Sequence, residues 1–172
     1  MIGALCAAAA VLLLGSGVAK LRRPATRLLT VLVGLPNRLL ARLIGALEVG
    51  TAAAVLLSGG RVACAALAAC YLTFTVVAVR LASGPQPAPC GCFGESDTPT
   101  RPLHVAVDAL ACAAAVAGVV SPAGALGGFA GQPTLVLVVG LGQVAVLAGL
   151  AYVSMTVLPD VLAARERLVA RS

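Results

Sequence analysis

The chain has 172 residues, of which 60% are apolar and only 10% charged, and its mean hydropathy is +1.06. A soluble domain carries about 25% charged residues, so this composition excludes one and predicts an all-α integral membrane helical bundle. The formal net charge of +6 does not mark a nucleic-acid binder, because the basic residues flank apolar runs instead of covering a solvated domain. The lipid bilayer is the expected partner, in the plasma membrane, and nucleic acid is not.

Residues 2 to 19 form an apolar run long enough to cross a hydrocarbon core of roughly 30 Å, closed by Lys20, Arg22, Arg23 and Pro24. The positive charges follow the run instead of preceding it, so it reads as a retained span and not as a cleaved signal peptide. Residues 25 to 38 hold a short apolar patch, Leu28 to Leu35, between Arg27 and Arg38, too short to cross and read as an interfacial segment. A second span is predicted from about Leu39 to Ser58, a tight turn at Gly59-Gly60, and a third span from about Val62 to Ala82. The fourth runs from about Leu103 to Val120 and the fifth over 134 to 158, separated by an uncharged Gly/Pro loop and followed by a basic tail. Four helices form the expected core, and the fifth is a C-terminal addition. The chain thus divides into a membrane domain at 1 to 120 and a C-terminal part at 121 to 172.

Between the third and fourth spans lies the one long polar loop, residues 83 to 102, with Pro85, Pro87, Pro89, Pro99 and Pro102. Such a stretch is neither helical nor tolerable in hydrocarbon, so it belongs at a membrane face. It carries Cys90-Gly91-Cys92-Phe93-Gly94. Cysteines at i and i+2 have Cα atoms roughly 5.5 to 7 Å apart in extended or turn backbone, at the edge of what a disulfide accepts. A bridge there closes under strain, and strained bridges are the labile, catalytic ones. Gly91 removes a Cβ that would crowd the small ring. Three readings fit: a redox pair, half of a metal site, or no chemistry. Two thiols are too few for a closed zinc site, and His104 as a third ligand still leaves a position open. The redox reading is preferred, and neither a metal nor a cofactor is expected.

With five spans, Lys20, Arg22, Arg23, Arg27, Arg38, Arg42, Arg80, Arg101, Arg165, Arg167 and Arg171 share one face, and Arg61 stands on the other. The positive-inside rule then puts the N-terminus outside and the Cys90/Cys92 loop at the cytoplasmic face. Cations near a thiol favour its thiolate and raise its reactivity.

Three further residues could carry chemistry. Glu48 lies about 15 Å into its span, which makes it either a functional carboxylate or a packing ion pair with Lys20, Arg42 or Arg80. Asp108, about 8 Å into its span, reads as a partnered surface group in preference to a proton relay. His104, one helical turn before it, reads as a cap or solvated group, with a role as base for a thiol as the alternative. Cys6 and Cys64 fall near the face opposite the thiol loop, and Cys70 and Cys112 near mid-membrane. Apolar packing is the expected role of all four. A thiol relay from Cys90/Cys92 to Cys6 and Cys64 is the less favoured reading.

Gly17-Val18-Ala19-Lys20-Leu21 with its basic flank and Pro24, Glu48 in the second span, and above all Cys90-Gly91-Cys92-Phe93-Gly94 together resemble the methylamine utilisation protein MauE family, within the wider DoxX-like group of small membrane proteins. The resemblance covers roughly residues 1 to 120. It implies a membrane factor for disulfide formation in an exported client, the disulfide-rich small subunit of methylamine dehydrogenase, beside a thioredoxin-like partner. The chain departs from the family pattern at Val107-Asp108, where an Arg-Asn pair is expected. The implied activity is thiol-disulfide exchange through Cys90 and Cys92. Disulfide maturation takes place outside the cytoplasm, whereas the charge count places this loop inside. A cytoplasmic pair suits the outward passage of reducing equivalents. The competing function is a non-redox membrane scaffold or small-solute carrier built around Glu48.

Overall fold

The computed structural model describes residues 2–24, 37–84, 102–121, 133–157 and 161. Five helices account for nearly all of these: α1 (Ile2–Arg22), α2 (Arg38–Ser58), α3 (Arg61–Ala82), α4 (Pro102–Val120) and α5 (Thr134–Thr156). Each is long and apolar enough to cross a membrane, as expected where hydrocarbon offers the backbone no partner but itself. The expected interfacial segment and the body of the thiol loop lie outside the described residues.

Local chemistry sets the helix ends. Asn37 starts α2, its Oδ1 accepting from the amides of Leu39 at 2.9 Å and Leu40 at 3.1 Å, which satisfies two of the orphan donors at a helix start. At the other end Gly59 adopts φ 58°, ψ 15° and donates to the Val55 carbonyl. That left-handed cap costs glycine little and lets the chain reverse straight into α3. Within the spans, Ser58, Thr73 and Thr75 each turn the hydroxyl back onto the carbonyl four residues earlier, so these donors do not meet lipid unpaired.

The helices form an antiparallel bundle with α1 at its centre. α1 packs on α2, α4 and α5, while α3 packs on α4 and α2, which sets α1 and α3 diagonally across the four-helix core. Contacts between residues 17 and 45, 6 and 64, and 118 with both 6 and 64 fix the directions. The end of α1, the start of α2, the end of α3 and the start of α4 therefore share one end of the bundle. α1 buries Ala4, the run Cys6 to Ala10, Leu13, Ser16, Gly17 and Lys20. Leu67 of α3, Val55 of α2 and Ala115 of α4 close the core around it. α5 contributes only the narrow stripe Gly140, Val144 and Ala148, and its remaining apolar side chains face outward, where lipid is the natural solvent.

Small residues set the closest approach. A Cβ on Gly17 would stand 2.7 Å from the Gly45 carbonyl oxygen, and one on Gly45 would stand 2.9 Å from the Gly17 oxygen. Between helices in lipid, packing of this kind replaces the hydrophobic drive. Gly17→Ala is expected to destabilise the detergent-solubilised protein by about 1 to 3 kcal/mol, since backbone must move to admit the methyl. Gly50→Ala, where nothing lies within 4 Å of the added carbon, is expected to be neutral or mildly stabilising. Thermal unfolding followed by circular dichroism separates the two.

Candidate functional site

The Gly17/Gly45 crossing brings two polar side chains of α1 against one carboxylate of α2. Ser16 and Lys20 lie one turn apart on α1, and Glu48 lies three residues beyond Gly45, so the close approach presents them to each other. Lys20 Nζ stands 2.9 Å from both Glu48 Oε1 and Glu48 Oε2 and donates to Ser16 Oγ at 2.6 Å. Ser16 in turn donates to Glu48 Oε2 at 3.0 Å. The ammonium also stands 5.2 Å from the Phe74 ring centroid of α3, a cation-π contact. Tyr71 meets Phe74 edge-on at 5.8 Å and donates its hydroxyl to the Ala9 carbonyl at 2.8 Å.

Glu48 is thus ion-paired, and of the three candidate cations Lys20 is its partner. Lys20 is not the residue that ends the first span: α1 continues to Arg22, and Lys20 is only 5% exposed, Glu48 2%. Charges this deep need both pairing and hydrogen bonds, and Ser16 supplies part of the second.

α4 brings in a second carboxylate. Asp108, expected as a partnered surface group, is instead buried at 2% exposure, and His104, expected as a cap or solvated group, is buried as well. The physical reason is rotational, since α4 turns this i, i+4 face toward α1 and α3 instead of outward. Asp108 Oδ2 has no hydrogen-bond partner among the described residues, and Lys20 acts on it electrostatically. One lysine thus serves two buried carboxylates.

The cysteines divide into three groups. Cys70 is half-buried, and Cys112, also half-buried, donates to the Ala68 carbonyl at 3.5 Å. Cys112 thus joins α4 to α3 as the packing reading expects. Cys6 of α1 and Cys64 of α3 instead touch each other, sulfur to sulfur at 3.7 Å and both buried. The sequence places both near one face, with apolar packing preferred to a relay ending on them, but nothing local in Ala-rich helices signals that the two side chains meet across the bundle diagonal. Cys90 and Cys92 lie outside the described residues. Their stretch is tied at Gly84 and Pro102 to the bundle end that holds Lys20, Arg22 and Arg23. Among the described residues no three His, Cys, Asp or Glu side chains gather as a metal site would require.

Five crossing helices around a buried lysine-carboxylate centre define a small multi-pass membrane bundle. The family model for methylamine utilisation protein MauE matches residues 1–121, and the chain belongs to that family, which implies a part in methylamine utilisation. Neither a curated protein nor a solved structure matches the chain.

The ion pair makes a prediction that distinguishes pairing from simple burial. Lys20→Ala strands the Glu48 carboxylate without its partner and is expected to cost about 3 to 5 kcal/mol. Removing both charges in Lys20→Met/Glu48→Leu is expected to recover most of that loss, because the replacement is apolar and of similar volume. Heat-induced loss of the monodisperse peak in detergent chromatography ranks the variants.

Proposed function

We propose that the chain is a thiol-redox accessory factor of the plasma membrane that supports disulfide formation in an exported enzyme, by family the small subunit of methylamine dehydrogenase. Cys90 and Cys92 are its exchanging pair, and a thioredoxin-like protein is its partner. The observation that carries this reading is the Cys90-Gly91-Cys92-Phe93-Gly94 motif inside the stretch that the family model matches. In the exchange a Cys90 or Cys92 thiolate attacks one sulfur of a partner disulfide and expels the other as thiolate. The second cysteine of the motif then attacks the mixed disulfide and releases the partner as a dithiol. Run in reverse, the same two steps oxidise the partner, and relative reduction potentials set the direction.

The bundle supports the reading by what it offers at that end. The thiol stretch is anchored after α3 and at the start of α4; α3 reaches α1 through Tyr71 and Phe74, and Cys112 of α4 donates to the Ala68 carbonyl of α3. His104 and Asp108, on the first two turns of α4 after the thiol stretch, are the titratable groups available to move a proton there. A carrier built around Glu48 is the rival reading: the carboxylate is ion-paired with Lys20, and its Oε1 has no hydrogen bond among the described residues.

Cys90→Ser and Cys92→Ser are each expected to abolish maturation of the client, read as loss of correctly bridged subunit on non-reducing gels and loss of amine-oxidising activity. Lys20→Met/Glu48→Leu, once shown to be inserted and folded, is expected to retain it. Intact maturation in both serine variants sinks the proposal. Loss only in the Glu48 variant favours the carrier.

A further inference from the structure

We infer that Cys6 and Cys64 form a second dithiol/disulfide site, at the end of the bundle opposite the Cys90/Cys92 stretch, that exchanges with disulfides on the non-cytoplasmic side. The argument stands on geometry independent of the loop thiols. The two sulfurs approach to 3.7 Å from helices that lie diagonal in the core, with the Gly59 carbonyl 3.9 Å from the Cys64 sulfur. Gly118 of α4 eases the approach: a Cβ there would stand 3.1 Å from each sulfur, so any larger residue would press on both. No third His, Cys, Asp or Glu among the described residues joins them, which leaves two thiols and nothing else for chemistry. Cysteine pairs that meet in this way need a shift of under about 2 Å to reach bonding distance.

Their position supplies the second line of support. Cys64 is the fourth residue of α3, directly after the Gly59-Gly60 turn, and Cys6 lies in the second turn of α1. Both are therefore within about two turns of a membrane face. Arg61 is the basic residue at that end, while Lys20, Arg22, Arg23, Arg38, Arg42 and Arg80 gather at the other. The positive-inside rule assigns the Cys6/Cys64 end to the outside, the compartment where disulfides form and persist. Burial keeps the pair from reacting except when a helix end opens locally, the lowest-cost fluctuation of such a fold.

The step balances as ordinary exchange. The Cys6 or Cys64 thiolate, having released its proton to solvent during opening, attacks an organic disulfide RSSR and expels one RS⁻, which takes up a proton. The other thiolate then attacks the mixed disulfide and expels the second RS⁻. Two protein thiols and one RSSR become one protein disulfide and two RSH, two electrons passing to the substrate. The product ties α1 to α3 across the diagonal, and the reverse reaction reopens it.

The test uses the full chain in its own membrane vesicles, equilibrated with reduced and oxidised glutathione over a series of ratios. Samples are acid-quenched and alkylated with N-ethylmaleimide, and the peptides bearing Cys6 and Cys64 are read by mass spectrometry. Cross-linked Cys6–Cys64 is expected to rise from nearly none to nearly all as the oxidised fraction increases and to fall again on reversal. In Cys6→Ser no cross-linked peptide is expected at any ratio, and Cys64 is expected either alkylated or as its mixed disulfide with glutathione, the latter rising with the oxidised fraction. Two free thiols at all ratios overturn the inference, and so does a bridge that no ratio opens, which would make it a fixed staple. The Cys90 and Cys92 peptides in the same digest report on the loop pair separately, so failure at one site is not failure at the other.

Discussion

The contact on which the bundle depends is the one between Lys20 and Glu48, buried where α1 crosses α2. In a soluble protein, apolar burial would drive the two helices together, and the ion pair would be a secondary matter. Here lipid is as apolar as the core, so burying alanine or leucine against a neighbour gains little beyond van der Waals contact. An ammonium and a carboxylate that meet only in one register have no comparable alternative in hydrocarbon. The pair therefore selects the register, and Gly17 and Gly45 permit the separation at which it closes.

That selection extends past two helices. Lys20 also faces the Phe74 ring and acts on Asp108, so a single ammonium couples α1 to α2, α3 and α4. The lysine is outnumbered by carboxylates, and Asp108 keeps one oxygen without a hydrogen bond among the described residues. Partly satisfied polar groups in low dielectric are costly, and membrane proteins retain them chiefly where they serve function. The cluster stands toward the end of the bundle where the thiol stretch is anchored at Gly84 and Pro102.

Cys64 stands in the first turn of α3, and the stretch that carries Cys90 and Cys92 begins after its last. The Cys6/Cys64 contact and the anchors of that stretch, Gly84 and Pro102, therefore lie at opposite ends of the bundle. Under the proposed function and the inference drawn from Cys6 and Cys64, each pair serves its own compartment, which makes a cytoplasmic thiol stretch compatible with a client folded outside.

The amino-acid sequence by itself determined the five membrane-crossing helices found among the described residues, their bounds to within a few residues, the Gly59 turn, the shared end of the basic residues and the anchors of the thiol stretch, and the family, through a compact motif. These follow from local hydropathy, charge and turn chemistry, which need no knowledge of neighbours. Only the tertiary structure decided which of Lys20, Arg42 and Arg80 pairs with Glu48, that Asp108 and His104 turn inward, and that Cys6 meets Cys64. The spans are rich in alanine, valine and glycine on every face, so no apolar stripe reveals how each helix is rotated. Rotation, and hence every contact between helices, was settled by the few positions small enough or charged enough to permit one arrangement.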